Sequence, residues 1–138
     1  MPTQSLESYP PEVQAKADFS IQLSDDPGVK KWSRKTRYTV FLRPGVQEFI
    51  AEASKSFELI LFTAATSEYA DKIINALEGT RRAFSYRLYR DHCLELPGGQ
   101  GETILVKDLR SVRDRDIGTS VLVDDNPTHI KANPGRSI

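Results

Sequence analysis

The stretch Val121-Leu122-Val123-Asp124-Asp125-Asn126-Pro127 is the most informative part of this chain, because an apolar run leads directly into two adjacent carboxylates and a turn. Parallel strands in α/β proteins deliver ligands from their carboxyl ends, and carboxylate oxygens suit a hydrated Mg²⁺. The pattern therefore predicts a strand ending at a magnesium site made by Asp124 and Asp125. The alternative is a solvated turn with an aspartate helix cap, which Asp-Asp-Asn-Pro would also suit.

Two further polar side chains each follow an apolar run. Thr63 comes after the run 57–62, and Lys107 comes after the run 103–106. A threonine hydroxyl can donate to a phosphoryl oxygen, and a lysine can neutralise charge that builds on such oxygens. Each alone has a plainer interpretation, a helix cap for Thr63 and a surface position for Lys107. Taken together with the two aspartates, they predict a site that handles a phosphoryl group.

Apolar periodicity predicts an α/β fold, because helices and strands alternate through the middle of the chain. Crossover helices between strands imply parallel pairing. Residues 1–17 have no such periodicity and are predicted to be an irregular lead-in to one domain at 18–138. The predicted elements are a hairpin of 19–23 with 38–42, a helix opened by Pro44 and running to about Lys55, a strand at 57–62, a helix at 67–78, a strand at 83–89, a hairpin of 93–96 with 103–106, and a short helix or turn at 108–113.

Composition narrows the possible functions. The 138 residues carry 19 basic and 19 acidic side chains, so no net field favours nucleic acid or an acidic membrane. The single cysteine, Cys93, excludes an internal disulfide and fits the cytosol or nucleus; we expect a half-buried thiol. No apolar run is long enough to span a bilayer. The basic run 30–37 around Trp32 is more typical of a solvated loop than of a docking site.

Several motifs in order resemble the catalytic domain of the small phosphatases that act on the C-terminal domain of RNA polymerase II, members of the haloacid dehalogenase superfamily. The motifs are Leu42-Arg-Pro-Gly-Val-Gln-Glu-Phe, Leu61-Phe-Thr-Ala-Ala-Thr-Ser-Glu-Tyr-Ala-Asp, Tyr86-Arg-Leu-Tyr-Arg-Asp-His-Cys, Val106-Lys-Asp-Leu and Val123-Asp-Asp-Asn-Pro. The resemblance implies a parallel sheet with flanking helices and a β-hairpin insertion.

The same resemblance implies Mg²⁺-dependent hydrolysis of phosphoserine or phosphothreonine in a protein substrate, through an aspartyl-phosphate. By motif match, Thr63 and Lys107 would hold the phosphoryl group, and Asp124 and Asp125 would serve the metal. Arg90 would contact the substrate. Tyr69 matches part of an apolar substrate pocket. The substrate would be a phosphoprotein such as the RNA polymerase II C-terminal domain.

One motif of that family has no match in this chain. The family's first strand ends in Asp-x-Asp-x-Thr or Val and carries the nucleophile, whereas residues 1–17 contain no aspartate. We therefore expect a domain truncated at both ends and without its first catalytic strand, which is marginally stable and inactive as given.

Two other functions stay open on the sequence. One is a non-catalytic phosphopeptide-binding or scaffolding module. The other is the related receptor subunit of the mitochondrial inner-membrane translocase, which would carry a targeting segment and a membrane helix. The phosphatase and the binding module predict a nuclear or cytoplasmic location, and the translocase subunit predicts the mitochondrial inner membrane.

Overall fold

The computed structural model describes residues 17–24 and 35–138, which form two compact units. The first unit contains the described residues up to 59 together with 68–83, and the second contains 60–67 and 84–138. All of the predicted lead-in except Ala17, and most of the basic run, lie outside the described residues. Within the described part, no helix is long and apolar enough to cross a membrane.

The first unit begins with the predicted hairpin. Strand β1, Phe19–Ser24, pairs antiparallel with β2, Lys35–Val40, and Phe19 lies opposite Val40. The Asp18 amide donates to the Val40 carbonyl at 3.1 Å, and the Asp18 carboxylate accepts from the Leu42 amide at 2.7 Å. These bonds hold together the open end of the hairpin. Its predicted turn at 25–28 lies outside the described residues.

Helix α1, Val46–Ala53, starts later than the predicted opening at Pro44. The reason is Gly45, whose φ of 80° is left-handed and therefore not helical. The helix interior begins only beyond it, where the Phe49 amide donates to the Gly45 carbonyl at 2.9 Å. No residue of α1 is buried, and Phe49, on its predicted apolar face, is largely exposed.

Helix α2, Ser67–Glu78, has the predicted bounds. Ala70 and Ile74 are its buried residues, and the helix ends at Gly79, which has a φ of 57°. Tyr69 on this helix contacts Tyr38 of β2 edge to face, with the ring centroids 5.5 Å apart. The Lys72 ammonium donates to the Gln22 carbonyl of β1. These contacts join α2 to the hairpin of the first unit.

Strand β3, Leu59–Phe62, pairs with β4, Phe84–Leu88. The Thr63 amide donates to the Leu88 carbonyl at 2.9 Å, so the carboxyl ends of the two strands adjoin, as in a parallel pair. Strand β3 starts two residues later than predicted, because the Phe57 amide still bonds to the Ala53 carbonyl of α1, at 2.9 Å.

The rest of the second unit contains the predicted β-hairpin insertion. Strand β5, Leu94–Pro97, pairs antiparallel with β6, Thr103–Val106, and Leu94 lies opposite Val106. A short 3-10 helix at Leu109–Ser111 follows, as predicted. The buried apolar residues of this unit are Val106, Leu109 and Leu122.

The predicted strand before Asp124 is reduced to a single parallel bridge between Leu122 and Ser137. The Leu122 amide donates to the Arg136 carbonyl, and its carbonyl accepts from the Ile138 amide, both at 2.9 Å. Val121 and Val123 are 59% and 64% exposed. Only the middle residue of the apolar run therefore packs inward, and the described sheets of the molecule are all two-stranded.

Candidate functional site

Lys107 is the most informative site residue, because a lysine is rarely buried without a partner. It follows β6, and its ammonium donates to Oδ2 of Asp124. The two side chains are only 9% and 5% exposed. The interpretation of Lys107 as a surface residue is therefore wrong, and the predicted association of Lys107 with the Asp124 segment is present in the structure.

The Asp124 carboxylate is held in its ionised form. Burial acts to raise its pKa, but the hydrogen bond from Lys107 and a second one from the Asn126 amide outweigh this and lower the pKa below its usual range. The Asn126 amide donates to Oδ1 at 2.9 Å. The site thus contains a buried, anchored pair of opposite charges.

His129 is a neighbour of this pair that the sequence did not reveal. Its Nδ1 lies 3.5 Å from Asp124 Oδ1, and Nδ1 is buried with no hydrogen-bond partner in the described structure. The turn after Asp124 brings it there, because the Asn126 carbonyl accepts from the His129 amide at 3.0 Å. The Asn126 side chain also contacts His129 Nε2 at 3.2 Å. The Asn-Pro turn signal was present in the sequence, but it did not specify which later residue returns to the carboxylate.

The main chain of Thr63 lies next to Cys93. The Cys93 thiol lies 3.9 Å from the Thr63 carbonyl oxygen. Burial raises the pKa of Cys93. The positive charge of Lys107 lowers this pKa, and the negative charge of Asp124 raises it. Cys93 is half-buried, as the sequence predicted.

The Thr63 hydroxyl caps no helix in this structure. Its oxygen accepts from the Ala65 amide at 3.1 Å, which is a local turn before α2 begins at Ser67. This bond uses one lone pair and leaves the hydroxyl proton as a donor. The helix-cap alternative for Thr63 is therefore wrong.

Arg90 is fixed to the segment that follows Thr63. Its amide donates to the Ala65 carbonyl at 2.9 Å, and its Nε donates to the Ala64 carbonyl at 2.8 Å. The residue is exposed, and its charge also lowers the pKa of Cys93. Arg90 therefore lies beside the segment that follows Thr63, one of the two predicted phosphoryl-binding residues. Tyr69, the other predicted substrate residue, lies in the first unit, where it contacts Tyr38.

The described residues do not complete a magnesium site. Asp125 is exposed beside the buried Asp124, and no group of at least three His, Cys, Asp or Glu side chains in the described structure is arranged to hold a metal ion. The Asp124 carboxylate is already bonded to a cation, Lys107. Because like charges repel, Lys107 as placed would oppose a divalent cation at the same oxygens. The arrangement is that of a buried Lys107–Asp124 ion pair beside an exposed Asp125.

Comparison with known proteins defines the class. The family described as NLI interacting factor-like phosphatase matches residues 8–138, and the chain belongs to that family. The structure of Fcp1, an essential RNA polymerase II CTD phosphatase, superposes with a TM-score of 0.67 at 26% identity, covering 87% of this chain and 30% of that one. The predicted α/β fold of the haloacid dehalogenase type is thereby confirmed.

Curated relatives include a CTD small phosphatase-like protein and mitochondrial translocase subunits. The CTD small phosphatase-like protein 2 of Dictyostelium discoideum is 39% identical over 94 residues, which is 67% of this chain and 15% of the relative. The mitochondrial import inner membrane translocase subunit TIM50 of Eremothecium gossypii is 29% identical over 101 residues, which is 73% of this chain and 20% of the relative. The chain therefore spans a fifth or less of the length of these two relatives.

Proposed function

We propose that this chain forms the phosphoryl-binding part of a protein serine/threonine phosphatase domain. The observation that carries the proposal is the buried Lys107 ammonium, which is anchored on Asp124. A buried ion pair costs free energy to maintain, and a desolvated charged group with a specific partner is a candidate for a functional site. In the proposed site, Lys107 and the Thr63 hydroxyl would contact phosphoryl oxygens, and Arg90 would contact the phosphopeptide.

The proposed substrate is a phosphoserine or phosphothreonine protein of the kind represented by the RNA polymerase II C-terminal domain. Two matches support this class, since Fcp1 is described as a phosphatase of that domain and the Dictyostelium relative as CTD small phosphatase-like. We place the protein in the nucleus or cytoplasm accordingly. The role of Tyr69 in an apolar substrate pocket remains a prediction.

Removing the Lys107 ammonium should weaken phosphopeptide binding. We expect the 138-residue chain to bind a phosphoserine peptide, with a dissociation constant that Lys107→Ala raises about ten- to a hundredfold, because one charge-assisted hydrogen bond contributes about 1.5–3 kcal/mol. Fluorescence anisotropy of a labelled peptide measures this. The control is Lys55→Ala, which removes the same charge from an exposed ion pair with Glu52 in the first unit.

A second candidate is a receptor like the translocase subunits, favoured by the match to the Eremothecium protein. It would place the protein at the mitochondrial inner membrane. The same titration separates the two. Equal affinity for the phosphorylated and unphosphorylated peptides, with no effect of Lys107→Ala, would contradict the phosphoryl-binding proposal and favour the receptor.

Magnesium is the cofactor that we propose for the complete site, with Asp124 and Asp125 on the metal side. Mg²⁺ is usually bound through one or two carboxylates together with waters and phosphate oxygens, so two aspartates are a usable part of such a set. When bound, Mg²⁺ would neutralise phosphoryl charge. In this structure the Asp124 carboxylate is bonded to Lys107.

This arrangement predicts weak metal binding by the chain alone. We expect calorimetric titration with MgCl₂ to give a dissociation constant in the millimolar range or weaker, since the ion must compete with Lys107 for Asp124. Lys107→Met should strengthen binding by removing that competitor. Micromolar binding that is lost in both Asp124→Asn and Asp125→Asn would show that the described carboxylates suffice as a metal site.

A further inference from the structure

The main chain around Lys107 is held by the segment that follows Asp124. The Lys107 amide donates to the His129 carbonyl at 2.8 Å. The Asn133 side-chain amide donates to the Lys107 carbonyl at 2.6 Å, and its oxygen accepts from the Leu109 amide at 2.9 Å. Both polar groups of Asn133 are thus used on the loop that carries Lys107.

Asn133 is among the least exposed residues of the described structure, with 4% exposure. A buried side-chain amide that satisfies one carbonyl and one N–H fixes the two peptide planes between them. On the carbonyl side, this is the peptide plane that joins Lys107 to Asp108. A lysine side chain has four rotatable bonds and therefore many conformations. A main chain held in one direction favours those conformations in which the ammonium reaches Asp124.

Asn133 also belongs to the Asp124 side of the site. Its amide donates to the Ile130 carbonyl at 2.9 Å, and its carbonyl accepts from the Arg136 amide at 3.1 Å. The residue therefore sits in the turn that continues from Asp124 through His129. It connects the loop that supplies the cation to the loop that supplies the carboxylate.

We infer that Asn133 is a positioning residue, which holds the Lys107 main chain so that the ammonium stays on Asp124 and is presented to the phosphoryl group. The second half of this statement rests on the proposed function. The first half concerns only the two side chains and is measurable without any ligand. A purely structural Asn133 would stabilise the domain without affecting how strongly Lys107 and Asp124 are coupled.

Two variants of Asn133 separate these possibilities. Asn133→Ala removes both hydrogen bonds. Asn133→Asp has nearly the same shape and, with its carboxylate ionised, keeps an acceptor for the Leu109 amide while losing the donor to the Lys107 carbonyl, so it serves if the alanine variant does not fold. Ser137→Ala is the matched control, because it removes a hydrogen bond to the Asn133 carbonyl and leaves the Asn133 side chain intact.

The test is a double-mutant cycle of Lys107→Met and Asp124→Asn, measured by urea unfolding in the wild-type, Ser137→Ala and Asn133 backgrounds at pH 8. We expect the coupling between Lys107 and Asp124 to fall by about half or more in the Asn133 backgrounds and to stay unchanged in the control. Unchanged coupling in Asn133→Asp would overturn the inference, whatever the total stability.

Phosphopeptide affinity distinguishes this outcome from a failure of the proposed function. We expect Asn133→Asp to raise the dissociation constant about fivefold, as the loss of one net hydrogen bond would. Reduced coupling with no phosphate-dependent binding in the wild type would refute the phosphoryl-binding role and retain the positioning of Lys107 by Asn133. Full affinity in Asn133→Asp, with binding that depends on Lys107, would refute the positioning role alone.

Discussion

Lys107→Met is expected to lower the free energy of unfolding by about 3 kcal/mol, because it leaves the buried Asp124 carboxylate without its cation. The Asp124 side chain is only 5% exposed, and besides Lys107 its carboxylate accepts one described hydrogen bond, from the Asn126 amide, with His129 Nδ1 3.5 Å away. Methionine fills a volume similar to that of lysine, so the loss reports the charge and not a cavity. Urea unfolding followed by circular dichroism measures it.

An exposed ion pair in the same chain provides the control. Lys55 pairs with Glu52 at 2.5 Å, but the two side chains are 65% and 73% exposed. Lys55→Met should therefore change stability by less than about 0.5 kcal/mol. The double variant Lys107→Met with Asp124→Asn should lose less than the sum of the two single variants. A loss below about 1 kcal/mol for Lys107→Met would mean that the pair is not buried in solution.

The Lys107–Asp124 pair also determines part of the loss of stability at acidic pH. The folded-state pKa of Asp124 lies below its ordinary 3.8, so its contribution to stability is complete above that value and is lost as the pH falls through the folded pKa. Asp108, whose pKa is lowered by its hydrogen bonds with Arg110, acts in the same direction. In Lys107→Met we expect the acid sensitivity to lose the share of the Asp124 contribution that comes from Lys107, while the Asn126 hydrogen bond still lowers the Asp124 pKa.

Structural features that follow a periodic sequence pattern were predicted well, whereas features that depend on contacts between distant residues were not. Helix α2 was predicted with its observed bounds, because an amphipathic pattern ends at a glycine with left-handed backbone. Thr63 and Lys107 were singled out because each follows an apolar run, and each does follow an observed strand; their roles at a phosphoryl site stay a prediction. By contrast, the run before Asp124 was predicted as a strand, but the described residues pair only Leu122 of it.

His129 and Asn133 were missed for a different reason. Neither lies on a periodic face, and each reaches Lys107 or Asp124 only because the turn starting at Asn126 folds the chain back. A sequence indicates that a turn is present, but hardly which later side chain will meet a main-chain group far away along the chain. Helix α1 and strand β3 start later than predicted for similar local reasons. Gly45 has a left-handed backbone, and the Phe57 amide still bonds to the Ala53 carbonyl.

Hydrolysis of phosphoserine peptides is expected to be undetectable for this 138-residue chain, even with Mg²⁺. A covalent route needs a nucleophile, and neither Asp124 nor Cys93 of the described site suits that role. Asp124 is an unsuitable one, because its carboxylate is bonded to Lys107 and to the Asn126 amide. Cys93 is half-buried, and burial raises its pKa, so at neutral pH it is a thiol and not the reactive thiolate.

Binding without a nucleophile leaves the barrier close to that of the uncatalysed reaction, and the missing acceleration is at least on the order of 10⁶. Phosphate release from a phosphoserine peptide, followed with Fcp1 assayed alongside, measures this. Lys107 and Thr63 would still bind the peptide, so the expected pattern is affinity without turnover. Phosphate release that Asp124→Ala abolishes and Cys93→Ser does not would contradict this expectation. Asp124 would then be the attacking group. Lys107 would hold the nucleophile and would not bind the substrate.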